Sequence, residues 1–254
     1  MNEKKRFEWP YGARAAVSVS FDDARQSQLD VGLAILNRHN VHATFYMHVE
    51  GMWRRQEDWR RVVEQGHEIG NHTVAHPCSF NFPWSRLHPL EEYNLNMMED
   101  EIYGSNHQIQ SCLGVKPVTF AYPCGQTFVG KGEDTKSYIP LISRYFLAGR
   151  GVMGDCFNEP ARCDLANLAS IGLDKRSFET IRTLAENAAA SGEWAVFHAH
   201  DVGENGFQTI NREELEKLCA FLKDAKNKFW VDTVAAVAGW IQDERRSAMD
   251  FARI

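Results

Sequence analysis

The sequence predicts an α/β fold built on a parallel sheet or barrel. Short apolar runs alternate along the chain with longer segments of helical period, which is the pattern of repeated βα units. No repeat, low-complexity tract or Pro/Gly/Ser-rich linker interrupts that alternation, so residues 1–254 read as a single domain. With 44% hydrophobic and 24% charged residues, a chain of this length can bury a core that needs no staples.

The expected strands are 16–21, 43–47, 68–71, 118–122, 145–148, 168–172, 194–199 and 229–231. Between them the expected helices are 28–38, with Leu29, Leu33 and Leu36 on one face, and 59–65, ending at Gly66. Helices 90–112, 177–190, 212–225 and 234–241 follow. Asp22-Asp23, His72, Tyr122-Pro123 and His200 all fall at the C-terminal end of an expected strand. In a parallel barrel those ends share one face, so residues far apart in the chain become neighbours there.

Composition excludes some classes of function. The formal charge of −6 offers no basic face for nucleic acid. No run reaches the ~18 apolar residues of a membrane helix, so no membrane partner is expected. The polar stretch of residues 1–10 is not the apolar core of a secretory signal. Cys78, Cys112, Cys124, Cys156, Cys163 and Cys219 form no CxxC pair and read as free thiols of a cytoplasmic protein, although Cys156 and Cys163 could meet across a short loop.

Two motifs suggest metal chemistry. Ser20-Phe21-Asp22-Asp23 closes the first strand with adjacent carboxylates, which repel one another unless a cation or proton lies between them. Alone, the pair also fits a turn or a helix cap. His72-Thr73-Val74-Ala75-His76 spaces two imidazoles by four residues, which one helical turn would bring onto one face. His72, His76 and one of the two aspartates would make an open three-ligand site suited to Zn2+, with Co2+, Mn2+ or Ni2+ as alternatives. His67-Glu68-Ile69-Gly70-Asn71-His72 is not a metallopeptidase HExxH, because its second histidine is five positions on rather than four. Closing the expected strand 194–199, His200 sits at the mouth as a candidate proton donor, with His198 deeper in the core. Trp53, Trp84, Phe128 and Tyr138 lie in segments leaving the same face, where aromatic rings either stack on sugars or anchor loops.

Taken together, these residues resemble the polysaccharide deacetylases with the NodB-homology domain, carbohydrate esterase family four. The first motif T/S-F-D-D stands as Ser20-Phe21-Asp22-Asp23. The second, H-S/T-x-x-H, stands as His72-Thr73-Val74-Ala75-His76 after Gly66-His67-Glu68-Ile69-Gly70-Asn71, and Ala43-Thr44-Phe45-Tyr46 is similar to the family's A-T-F-F. The resemblance implies a distorted (β/α) barrel of about seven parallel strands. It also implies Asp22 as catalytic base, Asp23, His72 and His76 as metal ligands, and His200 as the catalytic histidine. The third motif departs from R-x-P-Y: Ala121-Tyr122-Pro123-Cys124 lacks the arginine that pairs with the base. Arg150 could supply that guanidinium from a neighbouring strand, and the Cys124 amide takes the position that holds the family's oxyanion. No clean D-x-x-D-W is present, which leaves Asp155, Asp164 and Asp174 as candidates to support the histidine.

The activity expected is metal-dependent removal of acetyl groups from an N- or O-acetylated carbohydrate. The alternatives are an amidase opening a small cyclic amide or ureide, and a catalytically weak carbohydrate-binding protein.

Overall fold

The computed structural model describes residues 7–251. Its centre is β1 (Ala15–Asp22), all eight residues of which are buried. The seven other strands of its sheet are β2 (Thr44–Met47), β3 (Glu68–Asn71), β4 (Thr119–Ala121), β5 (Ala148–Arg150), β6 (Ile171–Gly172), β7 (Trp194–Ala199) and β8 (Phe229–Val231). They run in the order β5-β4-β3-β2-β1-β7-β6, with β8 beside the first half of β1. Every pairing in this sheet is parallel. A single parallel bridge from Arg150 to Leu168 joins the two ends of the order. This is the distorted parallel barrel that the sequence predicts.

The helices pack outside: α1 (Leu33–Arg38), α2 (Val49–Arg54), α3 (Gln56–Glu64), α4 (Leu95–Leu113), α5 (Ile139–Tyr145), α6 (Phe178–Ser191), α7 (Arg212–Lys223) and α8 (Val234–Phe251). Asn94, Ser177 and Asn211 cap α4, α6 and α7 by accepting a backbone N–H of the first turn. Left-handed Gly114 and Gly192 end α4 and α6.

Several boundaries differ from expectation for local reasons. Pro140 in the first turn of α5 starts a helix that runs through Tyr145, so the strand expected at 145–148 begins at Ala148 and ends on Arg150. The helix expected at 28–38 opens as a turn of π-helix over Gln28–Gly32. Strand 168–172 shrinks to Ile171–Gly172 because Asp164 caps a short 3₁₀ turn just before it. Helix 234–241 continues to Phe251, through a polar stretch that has helical propensity but no apolar period.

Gly70 shows how tightly β2, β3 and β4 pack. A Cβ there would lie 2.4 Å from Tyr46 Cδ1 and 2.9 Å from Thr119 Oγ1. The ring of Tyr46 in turn lies 5.0 Å beneath the Arg150 guanidinium. Gly70→Ala should therefore cost about 2 kcal/mol by overpacking and lower Tm by roughly 4–8 °C. Calorimetry showing an unchanged Tm would mean the strands are not packed this closely.

Candidate active site

The residues expected at strand ends do sit at the C-terminal ends of strands. Asp22 ends β1 and Asp23 follows it, while His72 follows β3 and Arg150 ends β5. Asp174 lies two residues beyond β6, and His200 follows β7. Asp22, Asp23, His72, His76, Cys124, Arg150 and His200 line one cavity of about 840 Å3.

Adjacent strand residues point to opposite sides, so the two aspartates share a cavity only because the chain turns between them. Asp23 (φ 74°) and Ala24 (φ 53°) are both left-handed, a conformation uncommon in residues other than glycine. His72 and His76 come together by a different route from the helical turn expected. No helix covers them: Thr73 (φ 65°) and His76 (φ 51°) are left-handed. The loop's N–H groups bond to side chains instead of to a preceding turn. Asn71 Oδ1 accepts from Thr73, Glu101 Oε2 accepts from Val74 and Ala75, and Thr73 Oγ1 accepts from His76. Glu101 arrives from α4, and nothing in the motif itself announces it.

Asp23 Oδ1 lies 3.6 Å from His72 Nε2 and 3.7 Å from His76 Nε2. Bonds of 2.0–2.2 Å at tetrahedral angles place ligand atoms about 3.4 Å apart. The Nδ1–H of His72 donates to the Ala121 carbonyl at 2.8 Å, leaving the Nε2 lone pair facing the cluster. Burial pushes both imidazoles below the ordinary histidine value, so they are neutral near pH 7. The three donors therefore fit a divalent transition metal in spacing, tautomer and protonation.

Asp22 is 5% exposed, and burial alone would raise its pKa. The Arg150 guanidinium overturns that effect, helped by His72 and His200, and holds the carboxyl well below the usual range. Arg150 Nη2 donates to both carboxylate oxygens, at 2.5 and 2.6 Å. A guanidinium thus stands against Asp22, delivered from β5 and not from position 121.

Burial likewise works against a charged His200. The hydrogen bond from its Nδ1–H to Asp174 Oδ2, 2.6 Å, and the nearby carboxylates outweigh burial and hold the ring above its ordinary value. Asp174 is therefore the support among the three candidates. Asp155 pairs with Arg176, and Asp164 caps a 3₁₀ turn. His198 has the opposite character, with burial pushing it down to about 3. Ser170 Oγ donates to the Gly151 carbonyl, so it accepts from His198 Nδ1, and that ring is a neutral packing element.

Cys124 (φ 53°) lines the cavity, and no backbone acceptor is recorded for its N–H among the described residues. Its side chain corrects the cysteine reading. Cys78 and Cys124 form a disulfide with Cα atoms 6.2 Å apart, while Cys156 and Cys163 stay unpaired. It ties the loop after His76 to the loop carrying the Cys124 amide, and two cysteines 46 positions apart gave no spacing signal. Trp84 lines the cavity, stacked on Phe82 at 4.7 Å. Phe128 and Tyr138 pack in a core cluster instead, and Trp53 bonds to Gln108. Arg25, which also lines the cavity and contacts Asp23, was not singled out from the sequence.

Fold and site together define a parallel-barrel protein with an open cluster of two histidines and one carboxylate. The chain belongs to the polysaccharide deacetylase family, whose model matches residues 10–137, just over half of it. It is 36% identical over 127 residues to the peptidoglycan-N-acetylglucosamine deacetylase PgdA of Listeria monocytogenes, covering 50% of this chain and 24% of that protein. The chain spans 27%, 10% and 26% of the length of three other curated relatives. A crystal structure from Mycobacterium smegmatis, provisionally labelled a polysaccharide deacetylase, superposes with a TM-score of 0.70 at 17% identity, covering 94% of each chain. A mutant of BA3943, described as a CE4 family pseudoenzyme, superposes with a TM-score of 0.55 at 16% identity, covering 88% of this chain and 67% of that one. The family match contains Asp22 through Cys124; Arg150, Asp174 and His200 lie beyond it. No described helix is long and apolar enough to cross a membrane.

Arg150→Ala should lower stability by about 3–5 kcal/mol, because it leaves the buried Asp22 carboxylate without its cation. Arg150→Lys should recover only part of the loss, since an ammonium cannot match the guanidinium's fork. Urea unfolding measures both, and an unchanged midpoint in Arg150→Ala would remove the pair from the account of this site.

Proposed function

We propose that this chain is a metal-dependent deacetylase that hydrolyses acetyl groups from an N- or O-acetylated carbohydrate. One observation carries the reading: a carboxylate bonded to Arg150 and a histidine bonded through Nδ1 to Asp174 both border the cavity of the three-ligand cluster. Hydrolysis of an acyl bond needs such a base and acid around the reacting carbon. We also read the whole chain as one domain, since the strands of one sheet span Ala15 to Val231.

Asp23, His72 and His76 would hold the metal, with Zn2+ preferred and Co2+, Mn2+ or Ni2+ as alternatives. When bound, it polarises the acetyl carbonyl and eases deprotonation of water. The remaining chemistry belongs to the protein. Asp22 accepts a proton from the attacking water. Its lowered pKa keeps it ionised at every working pH, at some cost in driving force. The Cys124 N–H donates to the oxygen that gains charge as the carbonyl carbon becomes tetrahedral. His200 then donates its Nε2 proton to the departing nitrogen or oxygen. The carbon–oxygen bond to water has formed, the bond to the sugar has broken, and acetate and a free amine or hydroxyl leave. Of the four aromatic candidates for stacking on sugar, Trp84 lies on the wall of the same cavity, beside Phe82.

The Cys78–Cys124 disulfide favours an oxidising compartment over the cytoplasm expected from the cysteine pattern.

The direct test incubates metal-loaded protein, with and without chelator, with N- and O-acetylated oligosaccharides and follows acetate. We expect chelator-sensitive release. Asp22→Asn and His200→Ala should each lose about 100-fold or more in kcat while retaining metal, whereas His72→Ala should lose both. Ring opening without acetate would mean an amidase, and binding without turnover a carbohydrate-binding protein. Zinc retained by His72→Ala would mean the ligand set is wrong.

A second test concerns pH. Because His200 must be protonated and its pKa is raised, kcat/KM should decline only as pH rises above the ordinary histidine value. Asp174→Asn removes the hydrogen bond that raises it, so this alkaline limb should move to lower pH. An unmoved limb would assign the acid elsewhere.

A further inference from the structure

We infer that Arg25 is a positioning residue that makes Asp23 a one-oxygen metal ligand and ties it to the strand end carrying His200. The inference rests on the metal-binding reading above. Arg25 lies in the turn after the two aspartates. Its Nε and Nη2 donate to Asp23 Oδ2 at 3.1 and 2.8 Å. The other oxygen of the same carboxylate, Oδ1, faces His72 and His76. The two oxygens are therefore divided between a fixed cation and the ligand cluster. A carboxylate held in this way can offer only one oxygen to a metal, which preserves open positions for water and substrate.

The same guanidinium reaches two more partners. Nη1 donates to Asp201 Oδ2 at 2.6 Å, and Nη2 donates to Gln208 Oε1 at 2.7 Å. Asp201 is held in turn by Ser27, whose hydroxyl donates to Asp201 Oδ1 at 2.6 Å and accepts from the Val202 N–H. The amide nitrogen of Gln208 lies 3.3 Å from His200 Nε2, to which it can donate once that nitrogen has given up its proton. One planar group thus fixes the carboxylate of the cluster and also the residue that touches the candidate acid. An ordinary surface ion pair contributes little and orders nothing. Arg25 differs in having three side-chain partners, Asp23 and Asp201 just past two separate strands and Gln208 in the loop beyond, with its own side chain only 27% exposed.

Cobalt substitution reads this arrangement without relying on turnover. The visible bands of Co2+ weaken as its coordination number rises. In the wild type, the bands should be those of a low-coordinate ion. In Arg25→Met, Asp23 can rotate and engage through both oxygens, so the bands should weaken although one equivalent of cobalt is retained. Turnover should fall about 10- to 100-fold, the usual effect of removing a partner that orients a ligand. Arg25→Lys should restore only part of both signals, because one ammonium cannot serve three acceptors in a plane. Arg25→Met with wild-type bands and wild-type kcat would overturn the inference while leaving the deacetylase reading intact. A wild type that takes up no cobalt would overturn both. Loss of cobalt from Arg25→Met alone would show that Arg25 sustains affinity and not ligand mode, which also overturns the inference as stated.

Discussion

Two carboxylates on consecutive residues at the end of a buried strand set the central constraint. Left side by side in a low-dielectric cavity, Asp22 and Asp23 would share a proton, and one would lose its charge. The fold turns them apart: Arg150 outweighs burial at Asp22, His72 and His76 outweigh it at Asp23, and each carboxylate also accepts from a guanidinium of its own. Arg150 takes both oxygens of Asp22, while Arg25 takes one oxygen of Asp23. The two cations act differently because they leave different atoms free. Asp22 is neutralised as a whole, whereas Asp23 keeps Oδ1 directed at two neutral imidazoles. Identical side chains thereby acquire different chemistry from their surroundings.

Holding this arrangement requires backbone that regular structure does not provide. Asp23, Ala24, Thr73, His76 and Cys124 are all left-handed without being glycine. Each such residue costs of order 1 kcal/mol or more and persists only where its neighbours fix it. Here the fixing is visible. Glu101 binds two consecutive N–H groups of the histidine loop, Thr73 closes it, and the disulfide joins it to the Cys124 turn. The parallel sheet below supplies the rigid base, with β1 bonded to β2, β7 and β8. Strain at the rim is sustained by order in the core.

This division explains what the sequence disclosed. The strands and the helices with capping residues were legible, because burial of a parallel sheet and satisfaction of helix ends leave local signatures. Ser177 and Gly192, for instance, bracket α6 at both ends. The cluster of Asp23, His72 and His76 was legible because its three residues lie in two short motifs. Its loop conformation was not, since the partner that replaces helical hydrogen bonds is Glu101, distant in sequence. Arg25 was missed for a different reason: an arginine in a polar turn looks like solvated surface until its three acceptors converge on it. The disulfide was hidden because tertiary structure alone brings Cys78 beside Cys124.

The displaced arginine shows how a motif can fail in sequence and survive in space. Position 121, where the family carries its arginine, is Ala on β4, and in the parallel register Ala121 pairs with Arg150 on β5. Residues paired in that register project from the same face of the sheet. Moving the guanidinium one strand outward therefore keeps its direction and demands only extra reach, which arginine's length provides. Ala121 keeps a role of its own: its carbonyl accepts the Nδ1–H of His72 and so sets the tautomer of a metal-ligand candidate. A backbone carbonyl does that for any side chain at 121, so alanine there leaves the bond to His72 intact. What the geometry conserves is a cation against Asp22, and the strand that delivers it is secondary.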